Sequence, residues 1–203
     1  MHEILPGLLH WTARHPKIEM DVSSHYYEPG AALFDPLEPD GGLGFLDGRA
    51  QPERIVLTCR HHLRDSAELS ERFGATVHCN ELGLHEFEGS GVQVKGFKPG
   101  ETVAPGVQAL QVGSLAPDDT AMFLDVPGGA LLFADALIHY GGDVSFVPDS
   151  LMGDDPEADK RGMLDSLEAL LEREADTLLF AHGDPIVGGG HEALRRFVES
   201  QRS

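Results

Sequence analysis

The chain has 203 residues, 41% of them hydrophobic, and 34 acidic against 15 basic side chains give it a formal charge of −19. That length supplies one substantial core and is short for two, so a single domain over 1–203 is expected. So negative a field repels polyphosphate backbones and argues against nucleic acid as a partner; its plain reading is solubility. Cys59 and Cys79 are the only cysteines, too few for a disulfide framework, which favours a reducing compartment. The opening "MHEILPGLLHWTARHPKIEM" has no basic leader followed by an apolar run, and no segment approaches the ~20 apolar residues of a membrane span. A cytoplasmic protein without membrane contact is therefore expected.

In chain order, "MDVSSHYY" is strand-forming, "EPG" turns it, and "AALFD" returns, ending at Asp35-Pro36. "EPDGGLGFLDGRAQPE" has the Gly and Pro density of a surface connection. "RIVLT" is a short apolar strand that runs into a turn crowded with Cys59, Arg60, His61, His62 and Arg64. Asp65 and Glu68 form a capping-box-like helix start, Leu69 and Phe73 lie on one face, and Gly74 fits the stop. "ATVHC" then completes a β-α-β unit.

"GVQVKGF", "GVQALQV" and "TAMFLDV" read as strands, and Pro127-Gly128-Gly129 joins the last of these to "ALLFADALI" as a hairpin. The loop from His139 to Asp155, with Phe146 in its middle, is expected to form a pocket wall. Asp155 is placed to cap a helix with Pro156 in its first turn, and Met163, Leu164, Leu167, Leu170 and Leu171 share a face. "TLLFA" is a buried strand ending at His182, and a closing helix turns Leu194, Phe197 and Val198 inward. Strands come first and helices fall between later strands, which suggests a layered α/β domain and not a doubly wound parallel sheet.

Four apolar strands end in chemistry-bearing residues: Asp35, the Cys59–His62 turn, Asp135 and His182. An ionisable group just beyond an apolar strand is costly to bury unless it is paired or bound to a metal. Four such ends imply one shared rim, where a His and carboxylate cluster suits Zn, Fe or Mn. Each member has a plainer reading. Asp35 before Pro36 reads as a structural turn residue, and His61 and His62 as a solvated turn. Asp135 and His182 are harder to dismiss, because each follows a fully apolar run. His25 and His139 are candidates for the mouth of the site.

This pattern resembles the metallo-β-lactamase superfamily over most of the chain. Asp35-Pro36 resembles the family's "LIDPG" entry, "ALLFADAL" its "VLFTGDTL", and "LLFAHGDPI" its "LPGHGP" segment. The resemblance implies a four-layer αββα sandwich with metal at one edge of its two sheets. The family's H-x-H-x-D-H is degenerate here, where "TCRHHLRDS" allows two registers. Anchored on Leu57-Thr58, Cys59 and His61 replace the leading histidines and Arg64 the last, leaving a cation where a metal belongs. Anchored on the following helix, Cys59 takes the second His, His61 the Asp and His62 the last His. The second is favoured, since a turn loses residues at little cost. "QVGSLAPDDTAMFL" resembles "TPGHTPGSVALYL", with Leu115 or Ser114 in place of a ligand His.

The family's first metal position is therefore incomplete, while His61, His62, Asp135 and His182 remain for a second. The implied function is a mononuclear metal-dependent hydrolase of a small ester, thioester or lactone, with Cys59 or Asp65 assisting and one Zn, Fe or Mn ion as cofactor. The alternative is a metal-free, catalytically inactive relative that acts as a binding or interaction module, an Arg64–Asp135 ion pair filling the metal's place. A third reading gives Cys59 a redox role, its thiol activated by a neighbouring imidazolium. Substrate, metal identity and oligomeric state are left open.

Overall fold

The computed structural model describes residues 1–202. Seven strands form the first sheet in chain order: β1 (His2–Leu5), β2 (Leu8–His15), β3 (Met20–Tyr27), β4 (Ala32–Phe34), β5 (Arg54–Val56), β6 (Thr76–Asn80) and β7 (Val94–Phe97). Pairing is antiparallel from β1 to β4 and parallel from β4 to β7. The second sheet holds β8 (Thr102–Ala104), β9 (Val107–Gln111), β10 (Thr120–Leu124), β11 (Ala130–Phe133), β12 (Thr177–Phe180) and β13 (Ile186–Val187). Its spatial order is β13-β12-β11-β10-β9-β8, with β11 and β12 parallel. Three helices accompany them: α1 (Ser66–Phe73), α2 (Pro156–Leu170) and α3 (Gly190–Arg202).

Strand alternation builds the layers. Ile55 and Val77 pack with Leu69 of α1 on the outside of the first sheet, whereas Val56 faces Leu132 and Leu179 between the sheets. On the far side, Leu131, Phe133, Leu178 and Phe180 meet α2 and α3 through Met163, Leu167, Leu194 and Phe197. The layers run α-β-β-α, as the resemblance implied.

Most local expectations hold for physical reasons that the structure shows. Val126 to Gly129 closes the β10–β11 hairpin, with Leu124 opposite Ala130. The Asp155 carboxylate accepts from the Ala158 amide at 3.0 Å as an N-cap. Gly74 ends α1 at φ +69°, a conformation glycine adopts freely. Two differences stand out. The opening residues, not expected as strands, form β1 and β2. Asp65 sits at the start of α1 but makes no capping hydrogen bond; its Oδ2 accepts from the Glu38 amide at 2.8 Å.

The sheet topology also fixes the rim. β4 and β5 run parallel, so Asp35 and Thr58 emerge at the same end of the first sheet. β11 and β12 run parallel, so Asp135 and His182 emerge together from the second. The Ser23 amide bonds the Ala181 carbonyl and the Thr120 amide the Thr58 carbonyl, tying the two sheets at this end.

Candidate metal centre

The cluster starts from Asp35, just past β4 and 1% exposed. A carboxylate buried so deeply must be satisfied, and three groups satisfy it. The Thr58 amide donates to Oδ1 at 2.8 Å, the Thr58 hydroxyl donates to Oδ2 at 2.5 Å, and His62 Nδ1 lies 3.1 Å from Oδ2. His62 comes from a short 3-10 turn, Arg60–His62, that follows β5. Its other nitrogen, Nε2, points across the sandwich and lies 3.2 Å from Asp135 Oδ1. His182 Nε2 reaches the same Oδ1 at 3.0 Å and stands 3.3 Å from His62 Nε2. The Cys59 thiol donates to Asp135 Oδ2 at 3.5 Å.

These contacts set the charges. Burial alone would lower the His62 pKa, but the Cys59 sulfur, Asp135 and Asp35 around it hold it well above its ordinary value. Burial would raise Asp135, yet His62 and His182 keep it well below the usual carboxylate range. For Asp35 the lowering by His62, Arg64 and Thr58 also outweighs burial. Burial lowers His182, against the pull of Asp135. Cys59 goes the other way from the redox expectation: burial pushes its thiol up to about 12, more than the nearby imidazole can offset. That burial works against the thiolate a redox role needs.

Of the residues singled out from sequence, the fold brings Cys59, His62, Asp135 and His182 together; one ligand atom each from Cys59, His62 and Asp135 lie within 4.8 Å of one another. It does not bring His61, whose side chain is exposed on the 3-10 turn, or Asp65, which is held by the Glu38 amide. The Arg64–Asp135 ion pair does not form among the described residues. Arg64 turns its guanidinium to the carbonyls of Ser23, Asp35 and Ala181 at 2.7, 2.6 and 3.3 Å. Those bonds hold its backbone at φ +43°, a strained position for a residue with a side chain. His139 bonds the carbonyls of Asp184 and Gly142, and Phe146 packs edge-on against Phe197 of α3.

Two residues not singled out belong here. Asp118 and Asp119 precede β10, in the loop that also carries Ser114 and Leu115. Asp118 pairs with Arg60, accepting from both its amide and its guanidinium. Asp119 is 1% exposed, and neither of its oxygens has a well-aligned donor among the described residues. Burial and the Asp135 charge raise its pKa well above the usual range. Adjacent carboxylates just ahead of an apolar strand were the available signal.

The donor set fits one ion. A metal bonded at about 2.0 Å to tetrahedral nitrogen and oxygen donors spaces them about 3.3 Å apart. The three edges among His62 Nε2, Asp135 Oδ1 and His182 Nε2 measure 3.2, 3.0 and 3.3 Å. Asp35 on His62 Nδ1 leaves Nε2 facing inward, the arrangement in which a carboxylate orients an imidazole for a metal. Asp135 is 24% and His182 15% exposed at the side chain, so the cluster opens to solvent on that edge.

No protein-family model and no curated protein matches the chain. Solved structures do. A metallo-β-lactamase family protein from Thermus thermophilus superimposes with a TM-score of 0.69 at 20% identity, over 98% of this chain and 80% of that one. An archaeal metallo-β-lactamase superfamily protein from Sulfolobus tokodaii gives 0.70 at 17% identity, over 97% and 86%. A third protein, solved in a di-iron-bound form, gives 0.64 at 23% identity, over 90% and 96%. The protein therefore has the metallo-β-lactamase fold. No helix among the described residues is long and apolar enough to cross a membrane.

Proposed function

We propose that the chain is a metal-dependent hydrolase holding a single transition-metal ion on His62, Asp135 and His182, with the Cys59 sulfur as a fourth donor. The observation that carries this reading is the near-equilateral spacing of three ligand atoms delivered by three separate strand ends. An ion there would supply Lewis acidity toward an acyl carbonyl and would lower the pKa of a water bound as a fifth ligand beside the four protein donors. Asp35 keeps a proton on His62 Nδ1, which leaves Nε2 as the ligand. Cys59 and His62 must lose protons on loading, so affinity rises with pH. Arg64 locks three carbonyls, from β3 and from the ends of β4 and β12, and so fixes the spacing. His61 and Asp65 take no part. The substrate class is a small ester, thioester or lactone, consistent with an acidic surface that disfavours polyanions.

A second reading is a metal-free binding module. Its support is that the cluster closes on its own: a protonated His62 sits between Asp35 and Asp135 and balances them without an ion. Metal analysis of untagged protein separates the two. Near one equivalent of Zn, Fe or Mn, cut to under about a tenth in His182→Ala, together with chelator-sensitive hydrolysis of aryl esters, supports the enzyme. Metal-free protein whose melting temperature ignores added Zn or Mn ends that reading and favours the module.

A further inference from the structure

A second polar site lies on the inner face of the first sheet and uses no residue of the metal cluster. Alternation decides which side chains share that face. Val56 and Phe97 pack between the sheets while Ile55 and Val77 pack under α1, so Arg54, His78 and Lys95 turn toward the second sheet. Register sets His78 directly opposite Lys95, while Arg54, opposite Thr76, lies on the same face two residues before the Val56 that faces His78. Across from them, β8 and its flanking residues line the other side of an open pocket of about 400 Å³. That volume suits a small molecule.

The lining is unusual for this chain. Three of its scarce basic groups converge on one cavity, although acids outnumber Lys and Arg 34 to 15. His78 is 9% exposed and its imidazole has no hydrogen-bond partner among the described residues. Lys95 has no acidic partner among them either. Arg54 meets the exposed Glu53 carboxylate at 3.0 Å and the Gly30 carbonyl at 3.4 Å. Glu101 is the one acid in the lining, and its Oε2 accepts from the Lys98 amide at 3.2 Å. Burial, then Lys95, then Arg54 lower the His78 pKa, so near neutral pH it is an uncharged ring with one N–H to offer. Phe97, Val103 and Pro105 supply apolar wall beside this basic edge.

We propose that this cavity binds a small organic phosphate, its dianionic head on Arg54, His78 and Lys95 and its apolar body against Phe97, Val103 and Pro105. Donors arriving from three adjacent strands need an acceptor with oxygens in more than two directions. A phosphate monoester has three terminal oxygens and a carboxylate two, and the guanidinium fork matches the phosphate edge. The site is independent of any metal and of the hydrolase reading.

Titration of phenyl phosphate into the full-length protein tests this, with benzoate and inorganic phosphate as comparators. Heat of binding and the His78 imidazole NMR resonance are the readouts. Phenyl phosphate is expected to bind and shift the His78 resonance. Benzoate and inorganic phosphate are expected to bind more weakly, the first for its head and the second for its missing body. Lys95→Gln, at an exposed position, is expected to weaken binding about tenfold, and His78→Gln to weaken it as well. Three results overturn the proposal: no binding at millimolar phenyl phosphate, binding that both variants leave intact with His78 unmoved, or benzoate binding as tightly as the phosphate.

Discussion

Two pairs of neighbouring imidazoles sit inside this sandwich and behave in opposite ways. His62 and His182 have ring centroids 5.3 Å apart, and His10 and His25 5.1 Å. His62 is bracketed by Asp35 and Asp135, while His10 Nε2 and His25 Nε2 are buried with no partner among the described residues. The first is held well above the ordinary pKa. His10 is pushed down to about 4, chiefly by burial, and His25 well below its usual value for the same reason. Burial is common to His62, His10 and His25; the carboxylates make the difference. A histidine becomes a candidate ligand when a second residue fixes its tautomer and aims its free nitrogen.

The largest expected effect breaks the bracketed pair. Asp35→Ala removes the acceptor for the Thr58 amide, the Thr58 hydroxyl and His62 at once, and leaves a buried imidazole with one of its two counter-charges. A loss of about 3–5 kcal/mol in urea unfolding is expected. His25→Leu, just as buried but with no bond to lose, is expected to change stability by less than about 1 kcal/mol. If the two variants cost the same, the bracket is not what distinguishes the pairs.

Acid sharpens the same contrast. The folded-state pKa of His10 lies below its unfolded value, so its contribution is present above pH 6.5 and is lost as pH falls through about 4. A shift of that size amounts to about 3 kcal/mol. His62 has the opposite sign: its contribution is complete below pH 6.5 and fades only as pH rises through its raised value. Asp35 and Asp135, lowered in the fold, lose theirs only below pH 3.8. The change in urea-unfolding stability between pH 7 and pH 4.5 combines the His10 loss with a like one from His25 and an opposite gain from Asp119, whose raised pKa costs stability near neutral pH. His10→Leu should remove only the His10 share, about 2–3 kcal/mol, and shift the difference toward greater acid tolerance. An unchanged pH slope in the variant would assign the acid sensitivity to other groups.

How much of this was legible depended on whether a residue's role is set locally. The hairpin at Pro127-Gly128-Gly129, the Asp155 cap and the α2 face are decided within a few residues of chain, and they read directly. Strand ends carrying Asp135 and His182 were legible because a charged group beyond an apolar run needs a reason. Asp119 was not, because nothing local tells that its carboxyl is buried beside Asp135 without a well-aligned donor; only the packed loop shows it. Arg64 was ambiguous for the same cause. Only the less favoured register put a cation at the metal's place, and its conformation, with φ +43°, carries the guanidinium to three carbonyls. Asp35 read as a turn residue. It does hold a positive φ, and its buried carboxylate orients His62 as well.

A finer test asks which atom does the orienting. Thr58 Oγ1 donates to Asp35 Oδ2 and lies 3.1 Å from His62 Nδ1, so the hydroxyl and the carboxylate both touch the imidazole. Thr58→Val keeps the shape and removes only the hydroxyl. Asp35 then retains the Thr58 amide and His62, and a cost of about 2 kcal/mol is expected, below that of Asp35→Ala. Because a charged acceptor dominates a neutral one, His62 Nδ1–H should stay on the carboxylate. Metal per chain, if the chain carries one, should then be unchanged in Thr58→Val and reduced in Asp35→Ala. A loss in Thr58→Val as large as in Asp35→Ala would move the orienting role to the hydroxyl and leave the carboxylate as its support.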